Sequence, residues 1–445
     1  MSSEWMEYCI DELKADKASS IAIGPFGSRM KSDCYVESGV RVVRGTNLTS
    51  GREFSGEFVF VTSDKAAELG GANLDPFDLV FPHRGAIGEV GIVPDDGEQY
   101  VLSSSLMKLK CHQKKADPLF IYYFFKSDAG RFELLKNSSQ VGTPGIGQPL
   151  TSLKGIRLKL PLIEEQRRIA AVLGAIDDRI ALLRESNATL EAIAQALFKS
   201  WFVDFDPVHA RFRGEQPAGL APEVAALFPD SFEESELGMV PKGWRVGAFG
   251  DVCARIESGG TPKRSVPEYW GGGVPWLSSG EVRNPIVFDT KETITDLGVR
   301  ESAAKLWPQG TTVVAMYGAT AGEVCLLAKP TTANQACCGL IPKSQTRAFM
   351  FMCARRERVA LASKSSGSAQ QNLNKGLIEG HSLVLPPNEV LNAYEESVGA
   401  LLDCWIANVQ QAQTLAALRD ILLPRLISGQ LRLPEAKAMV REVQE

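Results

Sequence analysis

Hydrophobic residues recur at alternating steps of four and three along residues 164–203. The residues of this series are Ile169, Leu173, Ile176, Ile180, Leu183, Asn187, Leu190, Ala194, Leu197 and Trp201. This heptad-like spacing is typical of a coiled-coil helix, in which one polar residue such as Asn187 can fix the register of pairing. Pro161 precedes the series and Glu164 lies in its first turn, which favours a helix start there. The sequence therefore predicts a helix over about Glu164–Val203, roughly 60 Å long.

The same stretch occurs a second time near the end of the chain. Residues 158–202 align without a gap with residues 383–427, so that Pro161 matches Pro386 and Asp178 matches Asp403. The repeating positions of the second copy are Tyr394, Val398, Leu401, Trp405, Asn408, Ala412, Leu415, Arg419, Leu422 and Leu426. This copy is more polar, and Pro424 is expected to kink or end its helix near the last turns.

Two arrangements are compatible with these helices. Each helix can pack on its own domain alone, or the two helices can pair with each other in antiparallel orientation. The length of both hydrophobic seams favours pairing, because two seams this long are explained most simply if the two copies pair with each other.

The segments before the two helices correspond more faintly. GVRVVRGTNL (39–48) parallels GVPWLSSGEV (273–282), and GAIGEVGIV (85–93) parallels GATAGEVCLL (318–327). We expect an α+β fold with two mixed β/α domains, each followed by a long helix, the helices forming an antiparallel coiled coil. The predicted divisions are a first domain, a helical spacer, a linker with one short helix near 222–228, a second domain, a second spacer and a tail, at 1–160, 161–206, 207–240, 241–385, 386–433 and 434–445.

Composition narrows the class of protein. The net charge of −5 argues against a globally basic nucleic-acid binder but leaves room for local basic surfaces. No apolar run reaches the ~18 residues of a membrane span, and the charged N-terminus does not resemble a signal peptide, so a cytoplasmic location is expected. The nine cysteines are scattered without a CxxC pair, and we expect buried free thiols rather than a metal site.

Several segments resemble one known family. LPLIEEQRRIAAVLGAIDDRIALL (160–183) and KSWFVDFDPV (199–208) are similar to the central conserved region of type I restriction-modification specificity subunits. FPDSFEESELGMVPKGWRVGAFGDV (228–252) and SGGTPKRSVPEYWGGGVPWLSSGEV (258–282) resemble the start of the second recognition domain of these subunits. LRDILLPRLISGQLRL (418–433) resembles their C-terminal end, whereas the second spacer has EVLNAY (389–394) where the first has EEQRRI (164–169).

The resemblance implies a non-catalytic subunit that reads a bipartite site on double-stranded DNA, one half with each domain. It also implies that the spacers set the gap between the halves and dock two methyltransferase subunits, which modify adenine N6 and carry the motor-nuclease subunits. S-adenosylmethionine, ATP and Mg²⁺ would bind those partners, and this chain would hold no cofactor. The predicted arrangement agrees with a bipartite site, because two unlike domains on long helices suit half-sites that differ and lie about 34–36 Å apart.

Candidate DNA contacts are cations, hydrogen-bonding side chains and aromatic residues in predicted loops. They are Arg29, Lys31, Arg41, Arg44 and Arg84 in the first domain, and Lys263, Arg264, Trp276, Ser278, Arg283 and Tyr317 in the second. For each, a solvated surface charge or a core aromatic is the alternative, and Trp276 within VPWLSS suits a core position. RRER (355–358) lies on a predicted helix, where a solvated face competes with phosphate contact.

Two other functions remain open on the sequence, an enzyme and a purely structural adaptor. Asn284–Pro285 is followed by Ile and Val, so it does not match the NPPY-type motif of an adenine methyltransferase, and no GxxxxGK[ST] phosphate loop occurs. Asp204 and Asp206 lie at a predicted helix end, and a metal site there is not favoured. Turnover by the chain alone would indicate an enzyme, and sequence-specific protection of DNA would exclude an adaptor.

Overall fold

The computed structural model describes residues 5–26, 29–49, 51–139, 144–364 and 373–444. The chain divides into two compact units, one formed by Met1–Leu182 with Ala412–Glu445 and the other by Leu183–Gln411. Both unit boundaries fall inside long helices, so each unit combines one predicted β/α domain with part of each spacer. Among the described residues, no helix is both long and apolar enough to cross a membrane.

The α-helices range from single turns to a helix of 40 residues. They are α1 (Ile10–Leu13), α2 (Ser63–Leu69), α3 (Pro118–Lys126), α4 (Asp128–Leu135), α5 (Pro149–Gly155), α6 (Ile163–Phe202), α7 (Asp206–Phe212), α8 (Pro222–Ala225), α9 (Phe249–Val252), α10 (Asp296–Arg300), α11 (Arg347–Ser363), α12 (Lys375–Glu379), α13 (Asn388–Tyr394), α14 (Ala400–Ile427) and α15 (Leu433–Gln444).

The strands are short, as expected for small mixed domains. They are β1 (Met6–Cys9), β2 (Ile21–Ile23), β3 (Val40–Val43), β4 (Val59–Val61), β5 (Asn73–Leu74), β6 (Leu79–Pro82), β7 (Gly91–Ile92), β8 (Tyr100–Leu102), β9 (Leu106–Leu109), β10 (Ser138–Ser139), β11 (Gly145–Ile146), β12 (Arg157–Leu160), β13 (Phe232–Ser235), β14 (Gly238–Pro241), β15 (Arg245–Ala248), β16 (Cys253–Ser258), β17 (Trp270–Leu277), β18 (Ile286–Val287), β19 (Glu292–Ile294), β20 (Thr312–Ala315), β21 (Val324–Leu327), β22 (Thr332–Ala333), β23 (Cys337–Pro342) and β24 (Ser382–Leu385).

The first domain contains two four-stranded sheets, in the orders β2-β9-β6-β7 and β4-β3-β8-β5. The strands β3 and β8 are parallel, whereas β6 and β9 are antiparallel. Helix α3 begins at an Asp117 N-cap and buries six consecutive residues from Phe120 to Phe125. The ends of the domain meet where β1 pairs with β12, with Met6 opposite Leu160. The chain therefore enters α6 from a strand that is fixed to the domain's first strand.

The second domain has a five-stranded sheet in the order β16-β23-β20-β21-β18 and a three-stranded sheet in the order β19-β17-β22. Helix α11 buries Phe349 and Phe351 in a core that also includes Phe198 and Tyr394. Strands β15 and β24 pair in antiparallel orientation at the ends of the domain, as β1 and β12 do in the first. The antiparallel strand pair that closes a domain before its long helix therefore occurs in both domains.

The spacers form an antiparallel helix pair. In the first unit, Arg419 of α14 donates to Asp177 of α6 across 2.9 Å. In the second unit, Asn408 donates to Asn187 across 3.0 Å, and the Tyr394 hydroxyl donates to the Ala194 carbonyl across 3.4 Å. Partner numbers fall along one helix as they rise along the other, which confirms the predicted antiparallel pairing.

The second spacer differs in detail from its predicted course. It was expected to be one helix over about 389–427, but Glu395–Gly399 forms a π-helical segment between α13 and α14. Pro424 lies inside α14, which ends one turn later at Ile427. The expected linker contains α7, α8 and a β13–β14 hairpin rather than one short helix, and the expected tail is largely the helix α15.

Candidate nucleic-acid interface

Three of the candidate arginines in the first domain are already held by protein groups. Arg41 donates to the Tyr100 hydroxyl and to Glu98, across 3.3 and 3.2 Å. Arg44 donates to the Glu57 carbonyl across 2.7 Å, and Arg29 to the Glu68 carbonyl across 3.3 Å. A DNA phosphate or base would have to compete with these acceptors, because a guanidinium has only a fixed fork of donors to offer.

Other candidate cations are more available. Lys31, Arg84 and Lys263 are exposed and make no side-chain hydrogen bond or ion pair with the residues that the structure describes. Gly85 follows Arg84 with φ of 79°, a left-handed conformation that glycine favours and that turns the chain directly after the arginine. These three side chains can approach phosphates without first breaking a contact within the protein.

Arg264 lies in a small aromatic cluster of the second domain. Its guanidinium lies 3.8 Å from the centroid of the Trp270 ring and 5.0 Å from that of Trp276. Both ends of its fork contact the Glu292 carboxylate, and this hydrogen bonding raises the pKa of Arg264 and lowers that of Glu292. The plane of the Arg264 guanidinium therefore packs on the tryptophan rings, and its N–H groups are hydrogen-bonded to Glu292.

Trp276 is placed in the core and not at the surface. Only 3% of it is exposed, and its indole N–H donates to the Gly260 carbonyl across 3.1 Å. It packs with Ile294 and Ala304 in a small hydrophobic cluster. The structure thus favours the core interpretation of VPWLSS, because a base cannot stack on a ring that the protein covers.

Ser278, Arg283 and Tyr317 come from two neighbouring turns. The Ser278 hydroxyl donates to Glu281 across 2.6 Å at the start of the 3-10 helix Ser279–Arg283. Arg283 donates to the Ala319 carbonyl across 3.4 Å, which brings its turn close to the turn that follows Tyr317. Tyr317 is 37% exposed. Arg283 and Tyr317 thus lie on adjacent exposed turns, while Ser278 serves mainly to cap a helix.

The basic segment 355–358 is only partly a solvated face. Arg355 pairs with Glu191 of α6 and lies 6.0 Å from the centroid of the Trp405 ring. Arg356 and Arg358 are exposed, and with Arg355 they line a groove of about 560 Å³ beside Lys199. Arg355 therefore joins the second domain to both spacer helices within its unit, a role that sequence reasoning missed.

The predicted seam residues lie mostly in the interior of the two units. The buried ones are Ile169, Leu173, Ile176, Ile180, Leu183, Val398, Trp405, Leu415 and Leu422, and the half-buried ones are Asn187, Leu190, Leu197 and Leu401. The hydrogen bond between Asn187 and Asn408 is satisfied only when these two positions face each other, which specifies a single register.

A buried polar network in the first unit was not predicted. Asp177 is 8% exposed, accepts from the Tyr123 hydroxyl across 2.6 Å and from Arg419 across 2.9 Å. It thereby joins α3 of the first domain to both spacer helices. The sequence feature that could have predicted this network is Arg419 at a seam position, because a buried arginine needs an acidic partner.

The side chains that could bind a metal ion were expected to be scattered, and their positions can be compared with that expectation. Among the described residues no three His, Cys, Asp or Glu side chains lie close enough to share a metal ion. Asp204, in the VDFDP segment, pairs with Lys199. Most of the cysteines are buried as expected, and burial raises the pKa of Cys253 and Cys338 to about 12, so both thiols stay protonated. Cys404 is exposed, contrary to expectation.

Each unit contains a mixed β/α domain whose terminal strands pair before a long spacer helix, and the two domains differ in sheet order. The profile of the type I restriction modification DNA specificity domain matches residues 27–192 and 241–393, more than half of the chain. The chain therefore belongs to this family, as its motifs predicted. Members of the family are the DNA-recognition components of type I restriction-modification systems and are not themselves catalytic.

Individual relatives agree with the assignment. The chain is 27% identical over 389 residues to the type I restriction enzyme HindI specificity subunit of Haemophilus influenzae, covering 77% of this chain and 84% of that protein. It is 27% identical over 323 residues to the MjaIX specificity subunit of Methanocaldococcus jannaschii, covering 71% and 69%. A crystal structure of a type I S subunit from M. genitalium superposes with a TM-score of 0.63 at 14% identity and covers 96% of each chain, which supports the fold.

Proposed function

We propose that this chain selects the target of a type I restriction-modification enzyme by reading a bipartite, asymmetric DNA site. Each recognition domain reads one half, and the helix pair sets the unspecified gap between the halves. The two domains differ in sheet order and in their surface residues, so their half-sites differ. A palindromic site would require two identical domains related by symmetry.

The observation that carries this proposal is the antiparallel helix pair with its Asn187–Asn408 hydrogen bond. Helix α6 has 40 residues and so extends about 60 Å, longer than the ~34–36 Å of one DNA turn. A stiff helix pair in one fixed register can hold a defined separation, whereas a flexible linker would allow many gap lengths.

DNA contact in this proposal rests on the available side chains. Lys31 and Arg84 in the first domain, and Lys263 and Tyr317 in the second, are exposed. The other candidate arginines serve mainly to shape the domains, because each already contacts acceptors within its own domain; they are Arg29, Arg41, Arg44, Arg264 and Arg283.

We further propose that the spacers dock two methyltransferase subunits, which in turn bind the motor-nuclease subunits. Apolar side chains remain exposed on the paired helices at Leu182, Ile193 and Ile421, with exposed fractions of 49%, 43% and 52%. Exposed apolar groups on paired helices are suited to bind further helices. S-adenosylmethionine, ATP and Mg²⁺ would then be bound by the partners, and this chain would contribute recognition only.

A matched insertion tests the proposed role of the helix pair. Duplicating residues 184–190 in α6 and the facing residues 405–411 in α14 adds one heptad to each helix and preserves the seam. The pair lengthens by ~10 Å, so the gap should grow by up to ~3 base pairs while both half-sites stay the same. The assay is methylation of a randomised DNA library by the chain with its methyltransferase.

The control is the same insertion in α6 alone, which offsets the Asn187–Asn408 pair and should abolish selective methylation. An unchanged gap with the double insertion, or altered bases within a half-site, would contradict the proposal.

A further inference from the structure

Two arginine sites occupy equivalent positions of the two spacer helices. Gly174 and Asp178 of α6 align in the internal repeat with Gly399 and Asp403 of the second spacer. In each spacer, one arginine from that unit's own recognition domain contacts both the glycine carbonyl and the aspartate carboxylate. We call Arg52, Gly174 and Asp178 clamp 1, and Arg347, Gly399 and Asp403 clamp 2.

Clamp 1 lies within the first unit. Arg52 follows β3 in a loop that is closed by the bridge between Leu48 and Phe54. Its Nη2 donates to the Gly174 carbonyl across 3.4 Å and to the Asp178 carboxylate. The side chain of Arg52 is only 25% exposed, so the domain and the helix together cover most of it.

Clamp 2 lies within the second unit and is built from a different element. Arg347 is the first residue of α11, and its Nη2 donates to the Gly399 carbonyl across 3.1 Å and its Nη1 to Asp403 across 2.6 Å. Its Nε also donates to Glu395 across 3.1 Å. Glu395 and Gly399 begin and end the π-helical segment, so the irregular turn lies at the arginine.

The glycines leave room for these arginines. A Cβ at residue 399 would lie 3.1 Å from Nη2 of Arg347 and 2.7 Å from Oε1 of Glu395. A Cβ at residue 174 would lie 3.5 Å from Nη1 of Arg52 and 3.3 Å from Cδ2 of Leu119. Glycine in a helix interior is destabilising relative to alanine, and in both copies it occurs where a guanidinium approaches the backbone.

We propose that the Gly-x-x-x-Asp site of each spacer is an arginine-accepting anchor that fixes the orientation of each recognition domain on its own helix. The arginines come from unrelated places, a loop after β3 and the start of α11, whereas the accepting residues are equivalent. The accepting site therefore belongs to the spacer, and a recognition domain of different sequence needs only to supply one arginine. Arg52 and Arg347 are positioning residues in this role.

Whether replacing Gly399 with alanine lowers or raises Tm tests clamp 2 directly. G399A should lower Tm in the natural chain, because the new methyl group displaces Glu395 and Arg347. In a background that combines R347A with E395A, the same change should raise Tm by roughly 2–4 °C, because both contacting side chains are gone and only the helix propensity of alanine remains. In E395A alone, where the Arg347 contact persists, G399A should not raise Tm. A rise of Tm in the natural chain, or an equal rise in E395A alone, would overturn the proposal.

Clamp 1 is tested by a double-mutant cycle of thermal unfolding with R52A and D178A. The double variant should melt close to the single variants, because either change alone breaks the clamp. Additive shifts of Tm would contradict an anchor. The matched control is the exposed pair Lys329–Asp289, whose side chains are 40% and 72% exposed and whose single changes should leave Tm nearly unaltered.

The expected effect of the two clamps on DNA recognition rests on the proposed function. In library methylation, R52A should relax base preference in one half-site and R347A in the other half-site, each with the opposite half preserved. Relaxation of both halves by either variant, or of neither half, would overturn the positioning role. Loss of all selective methylation by the unaltered chain would instead refute the proposed function, and the unfolding experiments would still decide whether the clamps exist.

Discussion

Replacing Asp177 with alanine removes the acceptor that joins the first recognition domain to both spacer helices. Asp177 is 8% exposed and accepts from Tyr123 and Arg419. Burial alone lowers the pKa of Arg419, but hydrogen bonds to Asp177 and Asp420 outweigh it, so the pKa is raised. The substitution leaves a partly buried guanidinium and a buried hydroxyl with fewer partners.

The size of the effect follows from that geometry. Removing one partner of a buried ion pair costs about 3–5 kcal/mol, because the other charge is left without compensation. The side chain of Arg419 is 21% exposed and retains Asp420 at 2.7 Å, which reduces the loss. We therefore expect D177A to lower the free energy of unfolding by about 2–3 kcal/mol and Tm by roughly 5–10 °C.

The assay is thermal and urea unfolding followed by circular dichroism. D420A is the matched control, since the side chain of Asp420 is 64% exposed, and it should change the free energy of unfolding by less than about 0.5 kcal/mol. Replacing Asp177 with leucine, Arg419 with methionine and Tyr123 with phenylalanine together should restore most of the stability, because neither an unpaired charge nor an unpaired buried hydroxyl remains. A D177A variant as stable as D420A would refute the account of this network.

Three further predictions follow from the helix pair and the recognition domains. Changing both Asn187 and Asn408 to leucine should raise Tm, because the seam becomes fully apolar. The same change should broaden the range of gap lengths in library methylation, because leucines pack in more than one register whereas the asparagine pair selects one. The hydrogen bond from His381 lowers the pKa of Glu357 below its ordinary value. The stability contributed by the Glu357 carboxylate is therefore present above the ordinary glutamate pKa and is lost as the pH falls through the lower pKa of the folded state. E357Q should flatten the acid side of a curve of unfolding free energy against pH. Finally, R84A should weaken DNA binding across sequences and reduce the slope of log K against log salt by about 1, measured by fluorescence anisotropy.

The helical part of the fold could be predicted from the sequence to within a few residues. Helix α6 was expected over Glu164–Val203 and occurs at Ile163–Phe202, because forty residues of consistent periodicity outweigh local propensity. The π-helical segment could not be predicted in this way. At its end the Gly399 carbonyl accepts from Arg347, a residue that lies far away in the sequence and that the periodicity of the spacer does not reveal.

The candidate interface was less predictable than the helices. Sequence reasoning selects charged residues in loops, but it cannot tell whether an arginine is already paired. Arg264 and Lys263 are adjacent in sequence, yet Arg264 is held by Glu292 and Trp270, whereas Lys263 is exposed. Whether such a side chain is available depends on strand partners brought together only by the fold, and Trp276 became a core residue for the same reason.

We propose that two unlike domains on one helix pair read two separate halves of a DNA site. The most direct test is the methylated-adenine motif of cells that express this chain with its methyltransferase, determined by single-molecule sequencing. We expect a motif of two different specified halves separated by a gap of fixed length. A contiguous motif, or a palindrome with identical halves, would contradict it.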